Sequence, residues 1–102
     1  MGETLGILVS SDEHLSAIIK LTKAASAKGK KVIIFFTNFG VKLTQDPRFK
    51  ELKGLAEMTL CNVNFEAFGL PKKTIPGIKE KGYASQARHG MLIEDCDRYV
   101  VF

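Results

Sequence analysis

The chain has 102 residues, 45% hydrophobic and 25% charged, with a net charge of +4. These values fit one domain over 1–102 with one core, since a domain of this size buries roughly two-thirds of its unfolded surface. No apolar segment approaches the ~20 residues needed to span a bilayer, and the lysines fall in pieces without interleaved aromatics, so neither a membrane span nor a single-strand nucleic-acid platform is expected.

Met1-Gly2-Glu3-Thr4 leads directly into the apolar run Leu5-Gly6-Ile7-Leu8-Val9, without the basic n-region and long apolar stretch of a secretory signal. With two cysteines, Cys61 and Cys96, the expectation is a reducing cytoplasm and free thiols. Leu5–Val9 predicts a buried parallel strand. Ser10-Ser11-Asp12-Glu13 then predicts a helix start, with Ser10 and Glu13 at capping-box spacing and Ser11 or Asp12 as alternative caps. Leu15, Ile18, Ile19, Thr22 and Ala25 share one helical face, and Gly29 supplies the stop. Val32-Ile33-Ile34-Phe35-Phe36 is a second buried strand, β-branched and aromatic, ending in Thr37-Asn38-Phe39-Gly40. Strand, helix and strand in this order predict a right-handed crossover and a parallel sheet.

After Gly40 the pattern predicts a short apolar turn (Val41, Leu43), a breaker at Asp46-Pro47 and a helix over about Phe49 to Ala56. Met58-Thr59-Leu60 forms a third strand ending in Cys61, and a short helix follows at once, capped at Gly69. From Leu70 to Gly82, prolines, Gly77 and four lysines (Lys72, Lys73, Lys79, Lys81) predict a loop with a short extended piece near Ile75 to Ile78. Tyr83 to Glu94 reads as a helix interrupted by Gly90, and Arg98 to Phe102 as a closing strand.

Cys61 is the residue whose position points to chemistry. A sulfur at the carboxyl end of a strand, facing the first turn of a helix, meets the partial positive field of free N–H groups. That field favours thiolate, the nucleophilic form; a packed core cysteine would instead be a small inert hydrophobe. Ligands of open α/β sheets bind outside the carboxyl ends of the strands. Those ends carry Ser10, Ser11 and Asp12, then Thr37, Asn38, Phe39 and Gly40, then Cys61 and Asn62. Each polar residue among them also fits a plain cap or turn role.

Several chemistries are set aside. Ala67 stands where a phosphatase-type loop would carry arginine six positions after the cysteine, and no second cysteine lies three residues from Cys61. Cys61, Cys96, His14 and His89 lack zinc-site spacing, so no metal is expected. Neither a Walker loop nor a dinucleotide glycine fingerprint is present, and the loop after the first strand lacks the character a flavin phosphate wants; no cofactor is expected. Cys96 lies in Glu94-Asp95-Cys96-Asp97, where three carboxylates disfavour its thiolate, and it is read as structural with a resolving role as the lesser alternative. His89 beside Arg88 fits either an exposed helix histidine or a base near Cys61.

The chain resembles the DsrE/DsrF-like family, which includes the TusD-type sulfur-relay subunits. The resemblance rests on the opening strand and helix, on Val32 to Val41 with its Phe36-to-Gly40-Val41 spacing, on Cys61 followed eight residues later by Gly69-Leu70, and on Asp97 to Phe102. It implies a flavodoxin-like three-layer α/β/α domain with a mostly parallel sheet of about five strands, assembled as a homo-oligomer or with related subunits. It further implies that Cys61 carries a persulfide between a donor and an acceptor protein, with Asn62 and Asn64 donating hydrogen bonds. The basic segment after Leu70 departs from the family pattern. The alternative is a non-catalytic oligomeric binding module of the same fold in which Cys61 is merely packed. A third reading, a nucleic-acid binder, rests on the lysines alone. Phe39, Phe65 and Phe68 fit self-association and core packing equally.

Overall fold

The computed structural model describes residues 3–70, 78, 83–84 and 96–102. Its strands are β1 (Thr4–Val9), β2 (Lys31–Phe36), β3 (Glu57–Cys61), the two-residue β4 (Tyr83–Ala84) and β5 (Arg98–Val101). Four of them form an all-parallel sheet in the order β3-β2-β1-β5, and β4 pairs in parallel along the outer edge of β3. The register sets Ile7 opposite Ile34, and Ile34 opposite Met58. Strand order reverses between β1 and β5.

Alternation along each strand divides the sheet into two apolar faces. Ile7, Val9, Val32, Ile34, Phe36, Met58 and Leu60 belong to the larger cluster, and Ile33, Phe35 and Cys61 to a smaller one on the opposite face. The unbroken apolar run of β2 is therefore a strand buried on both sides. Helix α1 (Leu15–Ala27) buries Leu15, Ile18, Ile19, Thr22 and Ala25, the stripe its spacing predicts. Gly29 ends it at φ 75°, a left-handed conformation that suits glycine. The start differs from expectation. His14 is the cap, no side chain caps the helix, and Ser10, Ser11 and Asp12 precede it in the connection. The Ser10 hydroxyl is drawn instead to the carbonyl of Phe102.

Between β2 and β3 the chain forms two 3-10 helices, Asn38–Gln45 and Pro47–Leu52, where an apolar turn and an α-helix over Phe49 to Ala56 were expected. In a 3-10 helix residues i and i+3 eclipse, so Phe49 and Leu52 point together into the core, both essentially unexposed. The tighter winding also advances about 2.0 Å per residue, which carries a short segment across the sheet. Asp46 caps the second of these helices by accepting from the Arg48 N–H at 2.8 Å, with Pro47 in the first position. A short α2 (Asn62–Ala67) follows β3 and ends near Gly69 at φ 65°.

Tyr83 and Ala84 lie in a strand, correcting the helix predicted to start at Tyr83; two residues beside Leu60 and Cys61 gain ladder bonds that a helix would forgo. The remainder of that predicted helix, with His89, and the loop lysines from Lys72 to Lys81 lie outside the described residues. Ile78 is described, and it is buried in the larger cluster. Among the described residues no helix is long and apolar enough to cross a membrane.

One close approach locks the layers. A Cβ on Gly40 would overlap the carbonyl oxygen and carbon of Val9, so the first 3-10 helix rests directly on the backbone of β1. Gly40→Ala should destabilise the protein by about 2–3 kcal/mol through overpacking against immobile backbone. A urea midpoint equal to wild type, at equal slope, would refute this.

Candidate functional site

The carboxyl ends of β5, β1, β2 and β3 lie side by side, about 4.8 Å apart, and carry Phe102, Ser10, Thr37 and Cys61 in that order. Ser10 donates to the Phe102 carbonyl from both its N–H (2.8 Å) and its hydroxyl (3.2 Å), so it fastens β1 to the end of β5. Asp12 is exposed on the bend that follows. The reversal of strand order falls at Ser10, two strands from Cys61.

The tightest polar arrangement centres on Asn64 of α2. Its Oδ1 accepts from the Thr37 hydroxyl at 3.0 Å and from the Asn38 N–H at 2.9 Å. Asn38 has φ 49°, a left-handed conformation that asparagine tolerates. The Thr37 N–H donates to Val9 O at 2.8 Å, and the Gly40 N–H to Thr37 O at 2.9 Å. Asn38, Gly40 and Asn64 thus meet in one bonded unit that ties α2 to the ends of β1 and β2. Thr37, expected at the strand end but not singled out as a binding residue, joins it through both its backbone and its hydroxyl. Its signal was a hydroxyl residue closing an apolar strand.

Cys61 closes β3 and occupies the cap position of α2, yet its side chain makes no capping hydrogen bond. The thiol was expected to face the first turn of the helix. It packs instead with Ile33 and Phe35 on the second face and is 1% exposed. Strand alternation is the reason: Leu60 fills the larger core, so Cys61 must project from the other side. Among the described residues, four buried side-chain oxygens lack a hydrogen-bond partner: Ser11 Oγ, Thr22 Oγ1, Thr59 Oγ1 and Asn62 Oδ1. Two of these flank Cys61. Thr59 precedes it by two residues and is 6% exposed. Asn62 follows it directly and donates from Nδ2 to Glu66 Oε1 at 3.5 Å.

Cys96 borders the same face, its sulfur seated in the space that a Cβ on Gly6 would fill. Gly6 stands opposite Ile33, and Ile33 opposite Glu57, four residues before Cys61. Two strand spacings and four residue rises separate the two sulfurs by on the order of 15 Å, far beyond the Cα separation of about 7 Å that a disulfide bridges. Cys96 therefore packs beside Gly6, at the β1 side of this face. Burial pushes the nearby Tyr99 hydroxyl above its ordinary pKa, and the charge of Cys96 adds to the shift.

An apolar patch borders α2. Phe39 is 54% and Val63 68% exposed, and the rings of Phe39 and Phe68 lie 5.5 Å apart. Lys42 Nζ stands 5.2 Å and 4.7 Å from the two ring centroids, within cation–π range. Phe65, by contrast, is fully buried. Among the described residues no cluster of three or more His, Cys, Asp or Glu side chains forms a metal site.

Neither a family model nor a curated protein matches the chain.

Two measurements check this geometry. Asn64→Ala removes the acceptor shared by the Thr37 hydroxyl and the Asn38 N–H and should cost about 1–2 kcal/mol of stability in denaturant titration; an unchanged midpoint would show that the bonded unit is dispensable. Under native conditions a maleimide should label Cys96 well before Cys61, with both reacting rapidly in urea. Equal native rates, mapped by peptide mass, would mean that the second face opens freely.

Proposed function

We propose that the chain is a sulfur carrier of the DsrE/DsrF-like type, holding a persulfide on Cys61 between a donor and an acceptor thiol. The observation that carries this reading is the placement of Cys61 at the junction of β3 and α2, on the carboxyl edge of a parallel sheet. The thiolate attacks the sulfane sulfur of a donor persulfide, forming a new S–S bond as the donor thiolate leaves. An acceptor thiolate then removes that sulfur and regenerates Cys61. The proposed setting is cytoplasmic, where small thiols keep such a cysteine reduced.

The fold proper to this reading is the flavodoxin-like three-layer arrangement with about five strands. Its support is topological. The sheet advances from β1 to β4 in one direction, and β5 pairs in parallel on the other side of β1. The reversal lies between β1 and β5, whereas flavodoxin itself reverses between its first and third strands. Phe39, Val63 and Phe68 offer a partner, either a second copy or a donor or acceptor protein, an apolar landing beside α2.

One observation favours the second reading, a binding module with a packed Cys61. The thiol is 1% exposed among Ile33 and Phe35, so relay chemistry requires the second face to open or a narrow donor to enter. Intact-mass measurement after incubation with glutathione persulfide, wild type beside Cys61→Ser, separates the two. The relay predicts a gain of one sulfur that the variant loses. No gain with several donors, alongside slow native alkylation of Cys61, would establish the packed module.

A further inference from the structure

On the sulfur-carrier reading, on which this inference rests, we propose that Thr59 is the positioning residue of the persulfide: its hydroxyl donates a hydrogen bond to the terminal sulfur held on Cys61. Thr59 and Cys61 are two residues apart on β3 and therefore project from the same face of the sheet. Thr59 sits opposite Phe35, a member of the cluster that holds Cys61. Its hydroxyl is buried and without a partner, a state that leaves one donor unspent in an apolar setting. Adjacent same-face residues on a strand have Cβ atoms about 7 Å apart. A persulfide extends the cysteine side chain by about 2 Å, which brings its terminal sulfur within reach of the Thr59 oxygen.

The group transfer balances without an oxidant. Cys61–S⁻ takes the sulfane sulfur of R–S–SH, a Cys61–S–SH bond forms, and R–S⁻ departs with the electron pair of the broken S–S bond. In the anionic form, Cys61–S–S⁻, charge resides on the terminal sulfur, and that atom is the acceptor for the Thr59 hydroxyl. The buried members of its cluster, Ile33 and Phe35, offer the anion no hydrogen bond from their side chains. A donor at this point fixes the rotamer of the persulfide and slows its loss to water-borne thiols.

The test uses the full chain loaded with glutathione persulfide, with Cys61-bound sulfur followed by intact mass and its release followed as thiocyanate on addition of cyanide. Thr59→Val keeps the shape and removes the hydroxyl; Thr59→Ser restores it. Thr22→Val removes an equally buried, partnerless hydroxyl from α1 on the opposite side of the sheet and serves as the control. Thermal melts confirm that each variant is folded. The persulfide lifetime should fall on the order of fivefold in Thr59→Val, the effect of one lost neutral hydrogen bond, and should match wild type in Thr59→Ser and Thr22→Val. Equal lifetimes in wild type and Thr59→Val overturn this inference and leave the relay standing. Failure of wild type to load overturns the relay, and this inference with it.

Discussion

Strand β2 is buried on both faces and hydrogen-bonded on both edges, so its register constrains β1 and β3 together. Because side chains alternate with a period of two, a one-residue slip of β3 against β2 would exchange Leu60 for Cys61 in the larger core. That slip would expose a leucine to the smaller cluster and bury a thiol where Phe36 and Phe49 now meet at 5.3 Å. The apolar pattern of β2 and β3 therefore decides which face Cys61 occupies, and every functional argument inherits that choice.

The carboxyl edge is held by two short-range devices of different kinds. Gly40 lets backbone touch backbone, so the 3-10 segment cannot lift from β1 without opening a void. Asn64 spends a single carbonyl oxygen on two donors, and so pins α2 to the loop after β2. Surface ion pairs, such as Lys23 with Glu51 at 2.9 Å, join exposed side chains and contribute little by comparison. The edge beside Cys61 is thus held by a backbone contact and a shared acceptor rather than by surface charge.

The parallel strands and α1 were legible in the sequence because their periodicities are unambiguous. Leu5 to Val9 and Val32 to Phe36 are unbroken apolar runs, and Leu15 to Ala25 keeps one helical stripe. The region between Gly40 and Gly54 was misread because 3-10 and α-helical segments share spacing over so few residues; Phe49 and Leu52 at i and i+3 satisfy both. The cap of α1 was misread because a serine with a glutamate three residues on is a sound signal only when no stronger partner competes. Here the terminal carbonyl of β5 takes the Ser10 hydroxyl, and that carbonyl is remote in sequence. The site was legible as a set of strand ends, but the direction of Cys61 was not. It required knowing that Leu60 faces the larger core.

The burial of Cys61 does not by itself decide between carrier and packing residue, because a buried thiol is at home as a small hydrophobe. Its neighbour decides more. A strand position chosen for packing alone accepts valine at no cost, whereas threonine there leaves a hydroxyl unsatisfied at about 1–3 kcal/mol. Thr22 shows that such a hydroxyl can occur without a thiol nearby, so the orphan is meaningful through its placement and not its existence. Thr59 shares a strand and a face with Cys61 and stands opposite Phe35 of its cluster, and Asn62 on the other side carries a second buried oxygen without a partner. Unspent polar capacity on both sides of one cysteine is the feature on which the proposed sulfur-bound state depends, and Thr22 is the internal comparison that shows what packing alone leaves behind.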